Sequence, residues 1–145
     1  MEKHLIVNGH CYSKKNHYHI WGRGRGVRIV TDEKFDHYEY EARRQLCEQW
    51  KDRESLHCPV KIRIEVYYAG SEPDEPGPLE AIYDLLASIK NRKDEALEIL
   101  RADRKYHPVL ADDVWLHLAE LQGKPCIQRL HCKKKDERVE IFLKW

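Results

Sequence analysis

From residue 60 to residue 68 the chain alternates strictly. Val60, Ile62, Ile64, Val66 and Tyr68 are separated by Lys61, Arg63, Glu65 and Tyr67, the period-two pattern of a strand with one buried face. The strand runs into an acidic, proline-containing turn over 69–77, and then into a helix opening at 78–80. In that helix Leu79, Ile82, Tyr83, Leu86 and Ile89 recur at helical spacing, with Glu80 and Asp84 one turn apart on the other side. A loop held by a strand on one side and a helix on the other can position metal ligands or a general base. A plain solvated connection has the same pattern.

The remaining elements follow from the same reasoning. Residues 4–8 predict a short strand ended by Gly9, and 27–30 predict a second strand that pairs with the first as a hairpin across a long loop. Thr31 or Asp32 is positioned to cap a helix whose Phe35, Tyr38, Ala42, Leu46 and Trp50 form a core-facing stripe. Tyr40, Arg43, Arg44 and Glu48 fall off that stripe and read as solvated surface. Residues 91–94 interrupt the next helix, and Ala96, Leu97 and Leu100 carry it on to about 104, a charged helical insertion over 90–108. Asp112 and Asp113 then open a helix with apolar Val114, Trp115, Leu118 and Leu121, closed by Gly123. Two last strands are predicted near 125–132 and 138–143. The order β-β-α-β-α-α-β-β describes one α+β domain, a mixed sheet packed against helices.

Composition narrows the function classes. A chain of 145 residues holds one domain with a real core, and its fourteen aromatic residues argue against disorder despite 35% charged residues. Net charge is only +1, so any affinity for nucleic acid has to come from local clusters. One cluster is Lys14, Lys15, Arg23, Arg25 and Arg28; an acidic stretch over 72–80 opposes it. The run Gly22-Arg23-Gly24-Arg25-Gly26 offers close backbone approach and phosphate-compatible forks, although flexible loops share that composition. No apolar run reaches the roughly 20 residues of a membrane span and no signal sequence opens the chain, so a cytoplasmic protein is expected. Five widely spaced cysteines, an odd number, fit reduced thiols. Three adjacent His-Cys pairs, at 10–11, 57–58 and 131–132, raise structural zinc as an alternative. Neighbours on a strand face opposite sides, and no CxxC spacing occurs, which weighs against it. No GxSxG supports a serine hydrolase.

Three features now stand in order: Ser13, Asn16 and the Gly/Arg loop; an acidic loop after a central strand; and an Asp-Asp pair before the last helix. Together with 59–65, 79–86 and 138–144 they resemble the RusA family of Holliday junction resolvases, small phage-associated endonucleases in which a DxDNxxK loop and helix follow a central strand and a DD pair follows later. The resemblance implies a homodimer that acts on four-way DNA junctions in recombination and repair. It also implies phosphodiester hydrolysis assisted by magnesium, or manganese in its place. Carried over by position, the metal ligands are Glu72, Asp74, Asp112 and Asp113. The catalytic groups are Glu72, Asp74 and Asp113, with Glu80 where the family has lysine. Lys14, Lys15, Asn16, Arg23, Arg25 and Arg28 are the DNA contacts.

The chain departs from the family pattern at the metal loop. Without a gap, Asp74 is the first loop aspartate, and Pro76 and Gly77 replace the aspartate and asparagine. With a two-residue insertion, Glu72 and Asp74 form the spaced acidic pair. The lysine is missing either way. A relative that has lost its chemistry and kept a DNA-binding or protein-interaction role is therefore the alternative reading.

Overall fold

Phe35, Tyr38, Ala42, Leu46 and Trp50, the stripe of the first long helix, are all buried. Around them the computed structural model describes residues 1–12, 18–21, 28–31, 33–51, 53–73, 76–89, 95–103 and 106–145. In chain order the elements are β1 (Glu2–Asn8), β2 (Tyr18–Trp21), β3 (Arg28–Thr31), α1 (Glu33–Gln49), β4 (Lys61–Tyr68), α2 (Pro76–Leu86), α3 (Glu95–Ala102), α4 (Val114–Glu120), β5 (Cys126–His131) and β6 (Arg138–Lys144). The predicted break at 91–94 lies outside the described residues.

The sheet is mixed, as expected, with strand order β1-β6-β4-β5. Strand β6 lies between β1 and β4 and is antiparallel to both, while β5 runs parallel to β4. The predicted hairpin of the first two strands does not form. Instead β1 pairs with β6, at the far end of the chain, and β3 pairs with β2 in a separate two-stranded sheet. Local alternation says that a strand exists but carries no information about a partner more than a hundred residues away.

Ile62, Ile64 and Val66 of β4, Val139, Ile141 and Leu143 of β6, and Leu5 and Val7 of β1 face one way and form the core with α1, α2 and α4. Helix α2 is buried on most of its circumference, since Ala81, Ile82, Tyr83, Leu85 and Leu86 are all covered. In α4 the apolar residues divide between core and surface, with Trp115 partly buried against the core. Leu116 and Ala119 are buried, whereas Val114, Leu118 and Leu121 are exposed. The Val60 N–H donates to the Trp115 carbonyl, which sets the rotation of the helix against β4.

Arg43 is a second departure: it is 4% exposed, not solvated. It pairs with buried Glu39 at 3.2 Å. Its guanidinium donates to the carbonyls of Asp84 and Ala87, each at 2.6 Å, and more weakly to Leu85 at 3.4 Å. These carbonyls belong to the end of α2, where a helix has no internal donors left. Leu110 N–H supplies the one for Leu86. One side chain of α1 thus completes the last turn of α2.

Along the outer edge of β1, the Gln49 side chain accepts from Ile6 N–H and donates to Ile6 O at 2.7 and 2.5 Å. Gln45, one turn earlier, does the same for Asn8 at 2.8 and 3.3 Å. The two amides take the place of a neighbouring strand.

Candidate nucleic-acid interface and acidic sites

Strand β4 delivers the chain to its first acidic site. Beyond its carboxyl end, Glu72 stands 3.5 Å from Arg129 of β5, whose guanidinium also donates to the Pro73 carbonyl. Glu80 is exposed on α2. Asp74 lies outside the described residues.

The second acidic site opens α4. Asp112 accepts the Val114 N–H at 3.0 Å, a local turn bond, whereas Asp113, at the cap position itself, makes no side-chain capping bond. Asp113 lies 3.8 Å from His117. This site is near the amino end of β4, where Val60 bonds Trp115. The two sites are therefore at opposite ends of β4, whose eight residues extend about 23 Å. Oxygen ligands of one magnesium ion sit about 2.1 Å from it, so Glu72 and the Asp112–Asp113 pair of a single chain do not fit a shared ion. Among the described residues, no group of three His, Cys, Asp or Glu is arranged to hold a metal. None of the described helices is long and apolar enough to cross a membrane.

Of the expected DNA contacts, Arg28 stands in β3 opposite Trp21. Lys14, Lys15, Asn16, Arg23 and Arg25 lie outside the described residues. The sheet itself offers a cationic surface that pattern reasoning passed over. On the face away from the core, Phe142 is stacked on His4, with centroids 4.2 Å apart, and carries the Arg63 guanidinium 3.7 Å above its ring. Arg138 lies 3.7 Å over Tyr67 in the same way. Lys61 and Lys144 pair across β4 and β6 on that face.

Glu65 and Glu140 are directly opposite each other there, a repulsive arrangement by itself. Arg63 at 3.3 Å and the Tyr67 hydroxyl at 3.3 Å hold Glu65, and Arg138 at 3.1 Å and His4 at 2.8 Å hold Glu140. Stacking and ion pairing fix both guanidinium planes, and a guanidinium carries further N–H donors beyond those used. The signal was available in the sequence, since the polar face of 61–67 alternates Lys, Arg, Glu and Tyr. What could not be seen was which strand would stand beside it.

At the carboxyl end of β4 a further pair appears. Glu137, 9% exposed, accepts the Ala69 N–H at 3.4 Å and stands 2.7 Å from His10 Nδ1. Gly9, at φ +111°, donates its N–H to the Glu137 carbonyl. Nothing in local sequence links residues 127 positions apart. Next to His10, Cys11 is buried, and burial pushes its thiol up to about 11. It is held as a thiol and is no nucleophile. Burial, then the hydrogen bond to Glu120, raises the Tyr83 hydroxyl well above its usual range. No protein-family model matches the chain, and no curated protein matches it.

Proposed function

We propose that this protein is a RusA-like DNA-binding protein that recognises branched DNA, and that the described acidic residues of one chain do not assemble a resolvase metal site. The observation that carries the reading is the separation of the two described acidic sites along β4, Glu72 beside Arg129 at one end and Asp113 beside His117 at the other. The resemblance supplies the ligand class. The sheet face supports it with Arg63 fixed on Phe142 near the Lys61–Lys144 pair, and Arg138 fixed on Tyr67 at the other end of the two strands, groups suited to phosphate backbones.

The test is a labelled four-way junction against linear duplex, with and without magnesium, for wild type and Asp113→Asn. Junction binding without nicks supports the proposal, and Arg63→Ala with Arg138→Ala then weakens binding and lowers its salt slope by about two. Magnesium-dependent nicks that disappear in Asp113→Asn would make the protein a working endonuclease and overturn it.

A further inference from the structure

On the face of the sheet away from the core, the cations stand at two ends and the carboxylates lie between them. At one end Lys61, Arg63 and Lys144 line a depression of about 410 Å³ with His4, and Glu2 is the one acidic residue among its described lining. At the other end Arg138 lies on Tyr67 and donates to the Asp136 carbonyl at 2.9 Å. That bond ties it to the exposed turn carrying Lys133, Lys134 and Lys135. Midway, Glu65 and Glu140 face each other. We propose that this face holds duplex DNA across a major groove, with one phosphate bank at each cationic end, and that the Glu65–Glu140 pair sets the preference for duplex over single strand. The inference rests on the DNA-binding function proposed above and adds which form of DNA the face takes.

Spacing is the first argument. Tyr67, the partner of Arg138 across the strands, is four residues beyond Arg63 in β4, a distance of about 13 Å. The major groove of B-form DNA is about 12 Å wide and has phosphates only on its banks. Two guanidinium groups fixed on rings at that separation meet one bank each. Lys61 and Lys144 extend the first contact, and the lysines of the turn extend the second.

Charge is the second argument. Lys61 and Lys144 stand directly opposite each other, a like-charge pair whose repulsion a phosphate relieves. Lys144 has Glu2 at 4.0 Å, a pair exposed on both sides and so weakly held. The middle of the face is different. Glu65 and Glu140, 14% and 13% exposed, are ion-paired with Arg63 and Arg138, so together these four groups offer a phosphate no net charge. A groove laid over them places no phosphate there. A single strand running along β4 carries a phosphate every few ångströms and has to cross the carboxylates to use both ends.

The experiment is competition for the full chain bound to a labelled duplex, using unlabelled duplex and single-stranded DNA of the same length over a range of salt concentrations. Wild type should bind duplex at least tenfold more tightly than single strand. Lys61→Gln with Lys144→Gln, and separately Lys133→Gln with Lys135→Gln, should each weaken duplex binding and lower its salt slope by about two, since each takes cations from one bank. Glu65→Gln with Glu140→Gln keeps acceptors for Arg63, Arg138 and His4, and should narrow the preference for duplex at least fivefold by admitting the single strand. Equal binding of both forms by wild type, a salt slope that responds at one end only, or an unmoved preference in the glutamine variant would overturn the inference. Junction binding that persists alongside any of those results leaves the proposed function standing, whereas a wild type that binds no form of DNA overturns both.

Discussion

Replacing Arg43 with methionine removes a side chain that three parts of the fold share. The substitution keeps most of the aliphatic volume, so packing changes little. It takes the guanidinium away from Glu39, which is 2% exposed, and from the Asp84, Leu85 and Ala87 carbonyls and the Tyr106 hydroxyl. Breaking a buried ion pair by deleting one partner costs about 3–5 kcal/mol, because the remaining charge stays desolvated. The orphaned carbonyls are part of the same loss and should not be added in full. We expect Arg43→Met to lose about 4 kcal/mol in urea unfolding, which for a chain of this size lowers the melting temperature by roughly 10–15 °C. The double variant Glu39→Gln with Arg43→Met should recover about 1–2 kcal/mol by removing a buried charge that has lost its guanidinium. Arg43→Lys keeps the charge without the planar fork and should fall between wild type and Arg43→Met. A loss below about 1 kcal/mol for Arg43→Met, or a double variant no more stable than the single one, would refute the account of Arg43 as the buried cap of α2.

Two further outcomes are expected. The Cys11 thiol, raised to about 11 from 9.0, keeps its proton in the folded chain after the unfolded chain has lost it. Its contribution is therefore intact below pH 9 and is lost between pH 9 and 11, a difference of about 3 kcal/mol. The gap in urea midpoint between wild type and Cys11→Ala should shrink across that window, and parallel curves would contradict the assignment. At Gly9, φ is +111° and a Cβ meets nothing within 4 Å, so Gly9→Ala should lose about 1–3 kcal/mol through backbone strain alone. Unchanged stability would show that the turn relaxes freely.

How much of this was legible in the chain depends on how local each cause is. The alternation at 60–68 and the stripe from Phe35 to Trp50 report faces, and both faces are where they were expected. Two elements went unrecognised or wrongly paired because their partners are remote. Residues 18–21 show no periodicity and form a strand only against 28–31, and β1 finds β6. Arg43 flanks the apolar stripe, and its burial depends on the end of α2 lying over it. Which apolar residues of α4 are covered is likewise not local, since the helix is tied to β4 by the bond from Val60 to Trp115. At the candidate sites, residue types were legible and distances were not. The Asp112 bond to Val114 is a local event, yet the side-chain cap expected at this helix start does not form. The length of β4 between Glu72 and Asp113, and the meeting of His10 with Glu137, arise only from the folded topology.

The two glutamines of α1 have a consequence for assembly. With Gln45 and Gln49 occupying the free groups of Ile6 and Asn8, the four-stranded sheet has a stopper on its β1 side, while β5, bonded to β4 on one side, ends the sheet on the other. A second copy joining strand to strand at β5 would bring its own stopper to the far margin. Growth by that route meets the same two amides beside Ile6 and Asn8 on each outer margin, which favours a pair of chains over an extending array.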